Sequence, residues 1–333
     1  MLKRVLAAAW LVLLCACSGG TGDGSATVGA AGDRAVAWAL AIHGGAGAIP
    51  KDMPADQVAG YRGGLEQALR VGSAILEEGG TSLDAVEQVI RTLEDDPHFN
   101  AGRGAVFNHD GQHELDASIM DGETLACGAV ARVATVKNPI SLARLVMERT
   151  PHVLLAGDGA ERFAAEQGIE AVEQDYFFTE RRHRQYREAL AAAGEQGAGE
   201  GTVGAVALDR AGNLAAGTST GGLTNKMFGR VGDSPIVGAG TYAQNGACAV
   251  SGTGKGEEFI RHGVARSIAF LVEHQGLTVR DAADKVIRDV LAPGDGGVIV
   301  LGQEGDVAMV FSTAGMYRGV ADASGRFEVL IWD

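Results

Sequence analysis

Apolar residues Trp38 to Ile42 form a short run that leads into His43-Gly44-Gly45-Ala46-Gly47, which predicts a strand closed by a glycine-rich turn. From Ala55 to Glu78 apolar positions return with helical period, and Gly79-Gly80 end them. Ser82 to Leu93 reads as a second helix, with Leu83, Val86, Val89 and Ile90 as its stripe and Thr81 or Ser82 as its cap. Phe99 to Val106 is a glycine-rich loop, and Glu114 to Met120 and Ala126 to Val133 read as paired strands. Ser141 to Thr150 and Gly159 to Gln167 read as helices. The pattern then changes: residues 175–201 pass through Arg181, Arg182, Arg184 and Arg187 and end in AAAGEQGAGEG, the composition of a linker. Beyond it, Thr202 to Leu208 and Leu214 to Thr220 predict a hairpin around Asp209-Arg210-Ala211-Gly212-Asn213. Ala247 to Thr253 predicts a strand, Glu257 to His274 and Thr278 to Leu291 helices, and Gly297 to Leu301 and Val307 to Ser312 the closing strands. Short strands that follow one another in hairpin fashion favour an α+β fold, with antiparallel sheets and helices packed outside them.

The first residues fall outside this pattern. Lys3 and Arg4 precede an apolar run of ten residues, Val5 to Leu14, too short for a permanent membrane span. Leu14-Cys15-Ala16-Cys17-Ser18 resembles the lipobox of bacterial lipoproteins. That resemblance implies a signal peptide over 1–16, lipidation of Cys17, and a cell-envelope destination at the outer membrane, since Ser18 follows the cysteine. A soluble periplasmic protein whose signal ends near Ala16 is the alternative. Gly19 to Ala35 lack large apolar side chains apart from Val28, so 17–36 reads as a tether and the fold begins near residue 37.

Composition narrows the function classes. The formal net charge is −14, and loss of Lys3 and Arg4 with the leader takes it to about −16, which argues against nucleic acid as a partner. The 50 glycines fall mostly in short clusters between apolar runs and read as turns and close backbone approaches. Cys127 and Cys248 lie in apolar runs and read as buried free thiols, with a single disulfide as the alternative. No Cys/His spacing suits zinc.

The informative junction is Gly201-Thr202, where a linker ends at a threonine that starts a buried strand. A threonine hydroxyl is a poor nucleophile without a base. An N-terminal threonine carries its own base, because its free α-amine lies within reach and titrates at about 7.7–8.0. The device requires a cut before Thr202, and Gly201 tolerates the strained backbone such a cut needs.

The surrounding motifs strongly resemble the isoaspartyl peptidase and plant-type asparaginase family of N-terminal nucleophile hydrolases. They are HGGAG at 43–47, FNAGRGAVF at 99–107, ELDASIMDG at 114–122, the long run from Gly201 to Ala243, and SGTGKGEEFIR at 251–261. The resemblance runs from about Leu40 to the C-terminus. It implies a four-layer αββα sandwich and autocatalytic cleavage into an α chain (37–201) and a β chain (202–333) that remain one domain. It also implies an autoproteolytic β-aspartyl peptidase and asparaginase. Thr202 would be the nucleophile, Thr220 its orienting partner, and Thr253 and Gly254 the oxyanion hole. Arg230 and Asp233 would clamp the amino-acid head group, with Gly256 and Asn100 also in the substrate site. No cofactor is needed for catalysis. A structural sodium ion would be held by the backbone carbonyls of Leu93, Glu94, Asp96, Phe99, Ala101 and Arg103; Arg103 stands where the family often has an aliphatic residue. The expected partners are a small-molecule substrate and a second α/β protomer, with the membrane reached through the lipid alone. Glycosylasparaginases share the fold but usually carry Asp before the nucleophile, where this chain has Gly201.

Two other readings compete. Gly217-Thr218-Ser219-Thr220-Gly221 fits the G-x-S-x-G elbow of α/β-hydrolases, but Gly221-Gly222-Leu223 is no helix start. A lipid-tethered amino-acid-binding protein without turnover would keep the same pocket and remain one chain. His43 reads as structural, because an N-terminal nucleophile needs no histidine base.

Overall fold

The computed structural model describes residues 38–192 and 201–333. The residues read as signal peptide, lipidated Cys17 and tether fall outside the described residues, as does the glycine-rich 193–200.

The chain runs β1 (Ala39–Gly47), α1 (Ala55–Glu77), α2 (Ser82–Glu94), β2 (Leu115–Asp121), β3 (Cys127–Val133), α3 (Pro139–Arg149), β4 (Leu154–Ala156), α4 (Gly157–Glu166) and α5 (Glu180–Ala191). After the undescribed stretch come β5 (Val203–Leu208), β6 (Leu214–Thr220), β7 (Thr241–Ala243) and β8 (Cys248–Gly254). The chain closes with α6 (Gly256–His262), α7 (Val264–Gln275), α8 (Val279–Asp284), β9 (Gly296–Gly302), β10 (Val307–Phe311), β11 (Gly315–Asp322) and β12 (Phe327–Leu330).

Two sheets form. The larger is ordered β12-β11-β1-β5-β6-β2-β3-β4 and the smaller β10-β9-β8-β7. All pairs are antiparallel except β3 with β4. Alternation along the strands sorts the core into two. Leu40, Ile42, Val203 and Ala205 point toward Leu65, Leu69, Val89 and Ile90 of α1 and α2. Ala39, Ala41, Val206 and Leu208 point the other way, into one cluster with Val250, Val298 and Val300 of the small sheet and with Ile268 and Ala282 of α7 and α8. Helices, large sheet, small sheet and helices therefore make the four-layer αββα sandwich expected from the sequence.

Several elements differ from the sequence reading. The stretch 175–201 is not linker throughout. Thr179 caps α5 by accepting the Arg182 N–H, and Phe177 and Arg182 are buried, with Arg182 Nε donating to the Gly104 carbonyl. The helix expected from Glu257 to His274 breaks at Gly263, whose φ of 54° closes α6 with a left-handed residue and opens α7. Residues 315–330, left without elements by the pattern, form β11 and β12, and β11 is the neighbour of β1 in the large sheet. Cys127 and Cys248 are both free thiols, and burial pushes Cys248 up to about 12.

Candidate active site

Antiparallel register brings the two central threonines together. Val203 of β5 pairs with Ser219 of β6, so Thr202 lies beside Thr220 at the same end of the large sheet. The Thr202 hydroxyl donates to Thr220 Oγ1 at 3.2 Å, and Thr220 Oγ1 also accepts the Gly222 N–H at 3.0 Å. The end of β8 faces them from the small sheet. Thr253 is buried there, and its Oγ1 accepts the Ala46 N–H at 3.3 Å, which leaves its own proton available to a ligand. Gly254 follows with φ 152°, and a Cβ at this position would meet the Asp295 carbonyl at 2.1 Å.

Gly201 is wedged against the end of β1. Gly201 has φ 68°, Gly45 has φ 114°, and a Cβ on Gly45 would lie 2.0 Å from Gly201 Cα. Only two glycines allow this backbone contact. The cleft lined by Thr202, Thr220, Arg230, Asp233, Thr253 and Gly254 keeps about 10 Å3 of free space, about the room of one water molecule.

The head-group residues lie on the loop between β6 and β7. Asp233 is buried, its Oδ2 has no hydrogen-bond partner among the described residues, and burial pushes its carboxyl up to about 7. Arg230 forks onto Glu257, Nε to Oε1 at 3.0 Å and Nη2 to Oε2 at 3.1 Å. The guanidinium thus already makes the bidentate grip it would give a ligand carboxylate. Gly256 sits behind both, since a Cβ there would lie 2.7 Å from Arg230 Nη2 and 2.9 Å from Asp233 Oδ1. Asn100 lines the cleft, but its amide ties loops together: Nδ2 donates to the Gly222 carbonyl and Oδ1 accepts the Val106 N–H.

His43 has the structural part expected of it. It is fully buried, and burial drops its pKa to about 3. Its Nδ1 donates to the Thr202 carbonyl at 3.0 Å, so Nε2 is bare and accepts the Ser251 hydroxyl at 2.9 Å. Ser251 continues to Thr218, Thr241 and Ser118, a buried hydroxyl chain between the sheets. Ser219 is no nucleophile at an elbow. It is buried within β6 and donates to Glu94 Oε1 at 2.6 Å. Glu94 is itself buried and raised to about 8.

The sequence reading missed Glu257, the His43–Ser251 chain and a charged group under the head-group loop. In that group Lys226 is fully buried and donates to the Glu114 carbonyl at 2.8 Å, with Asp116 and Glu114 as its counter-charges. Glu114 and Asp116 lie in ELDASIMDG and Lys226 in the run from Gly201 to Ala243, both quoted motifs, but nothing in the sequence brings the two segments together.

A family model described as "Asparaginase" matches residues 36–331, nearly the whole described fold. The chain belongs to the asparaginase family. Among the relatives of this asparaginase-family chain is the isoaspartyl peptidase of Salmonella typhimurium, 51% identical over 84% of this chain and 93% of that protein. The isoaspartyl peptidase of Escherichia coli is 49% identical over 84% of this chain and 91% of its own length. The human isoaspartyl peptidase/L-asparaginase is 46% identical over 87% of this chain and 95% of its own length.

Proposed function

We propose that the chain is an autoproteolytic isoaspartyl peptidase and L-asparaginase whose nucleophile is Thr202. The observation that carries this is the meeting of Thr202, Thr220, Thr253 and the Arg230–Asp233 pair in one cleft. In the uncut chain Thr202 has no free amine, and Gly201 crowds the cleft. Attack of Thr202 Oγ1 on the Gly201 carbonyl, followed by hydrolysis, releases both the α-amine and the space. In the processed enzyme the amine takes the hydroxyl proton as Oγ1 attacks the side-chain carbonyl of the substrate. The Thr253 hydroxyl and the Gly254 N–H receive the developing oxyanion. Arg230 exchanges Glu257 for the substrate α-carboxylate, and Asp233 takes the α-ammonium. The leaving amine departs with the proton, and water resolves the acyl-threonine.

Further features belong to this proposal. Cys17 would carry a lipid anchor at the outer membrane, and two α/β protomers would form the particle. The carbonyls of residues 93–103 are hard oxygen donors of the kind an alkali cation takes, and Gly102 folds so close that a Cβ there would meet the Glu94 carbonyl at 2.3 Å. Among the described residues no cluster of His, Cys, Asp or Glu could hold a metal. A sodium ion held by this loop would brace Asn100 and the cleft wall.

Arg230→Ala tests the reading. Loss of the fork leaves a substrate carboxylate unpaired in a closed site, so kcat/KM for β-aspartyl-leucine should fall at least about a hundredfold. Arg230→Lys should rescue only partly, because a point charge lacks the fork. Self-cleavage should be spared, since the Gly201–Thr202 bond presents no α-carboxylate. Near-normal hydrolysis by Arg230→Ala would remove Arg230 from the site.

A further inference from the structure

The cleft around Thr202 does not end at the oxyanion residues. Gly254 and Leu223 line both the cleft and a second space of about 620 Å3, which runs on past Ala46, Lys255, Arg261 and Asp295. Arg230 and Asp233 line the first space and not the second. A head group held by that pair therefore places whatever lies beyond the scissile bond toward the second space.

The two candidate substrates differ in what they put there. Asparagine releases ammonia, which needs no groove. A β-aspartyl dipeptide releases an amino acid with its own α-carboxylate and side chain. Lys255 suits that carboxylate. It follows Gly254 directly, and its N–H is fixed on the Asp295 carbonyl at 2.7 Å. Its ammonium donates to Asp295 Oδ1 at 2.7 Å, while Asp295 Oδ2 is held by the Ala292 N–H at 2.9 Å. One carboxylate oxygen uses one of the three ammonium donors, and the side chain is 63% exposed, so further donors face the groove. Of the other charges that line the groove, Arg261 pairs with Glu258, and Glu257 pairs with Arg230 until a substrate carboxylate takes its place. Ala46, Leu223 and Ala314 supply apolar wall for a side chain.

We propose that this groove is the subsite for the leaving residue of a β-aspartyl dipeptide, and that Lys255 grips that residue's α-carboxylate. The inference rests on the hydrolase reading above and deepens it, because it names a residue that recognises the leaving side of the substrate.

The test compares kcat/KM for β-aspartyl-leucine with kcat/KM for β-aspartyl-leucine amide, in which the carboxylate is neutralised, and with asparagine as a third substrate. In Lys255→Gln the ratio of dipeptide to amide should fall roughly threefold to fivefold, the worth of a partly exposed ion pair, and the change should lie in KM. Lys255→Arg should keep the wild-type ratio. A general disturbance of the oxyanion loop would scale all three substrates alike and leave the ratio unchanged. An unchanged ratio in Lys255→Gln would overturn the subsite while leaving the hydrolase reading intact. A wild type that hydrolyses none of the three would overturn both.

Discussion

Asp233 is a carboxyl held in reserve. Its buried Oδ2 lacks a partner, and burial raises it to about 7, so near neutrality it waits for a cation. The sign of the pH effect follows. Below about 7 the free enzyme carries Asp233 protonated and unable to hold an α-ammonium. Below about 7.7–8.0 an N-terminal amine is protonated and useless as a base. Two protons must therefore leave, and kcat/KM should fall on the acid side more steeply than one proton allows. Asp233→Asn should lower kcat/KM by orders of magnitude and return the limb to a single-proton slope. A pH profile of kcat/KM for both proteins checks this; identical acid limbs would take Asp233 out of the titration. The residues proposed for this chemistry could be picked out in the sequence because Thr202, Arg230, Asp233 and Thr253 sit in long motifs. Glu257 sits in the same motif as Thr253, but its pairing was not legible: it stands 27 residues from Arg230, and only the return of α6 to the cleft makes the pair.

At the scale of elements, the proposed self-cleavage depends on the end of β1. The register of β1 with β11 slips between His43 and Gly45, which turns the strand end toward Gly201. Gly45→Ala should slow self-cleavage roughly tenfold or more, the rate equivalent of about 1–3 kcal/mol of backbone strain. Gly325→Ala is the control. Its φ of 92° brings the backbone strain without the clash, since the space around it is open, so it should cut normally. Time courses on denaturing gels read both, and equal cutting by the two variants would exclude the β1 contact from processing. Helices with one exposed face were legible: α2 carries its stripe as read, and Thr81 accepts the Asp84 N–H as its cap. β11 was not, because it is buried along nearly its whole length and shows no alternation. The break at Gly263 was hidden as well, since apolar spacing continues on both sides of it and only the left-handed backbone reveals the turn.

The molecule as a whole joins three segments with different tasks. The motifs gave the sandwich and the place of Thr202, but not how much of 175–201 is helix. There Arg182 falls in the stretch read as linker and is buried in the fold. The N-terminal segment carries the proposed anchor, and Cys17→Ala should move the protein from the membrane to the soluble fraction, abolish lipid labelling and leave dipeptide hydrolysis intact. Labelling that persists in the variant would place the anchor elsewhere. The central claim is that one chain becomes two to make its catalyst. N-terminal sequencing of the purified, active protein tests it most directly. The account predicts two fragments, the smaller beginning at Thr202, and a Thr202→Ala variant that stays uncut and inactive. An intact single chain with full hydrolytic activity would contradict it.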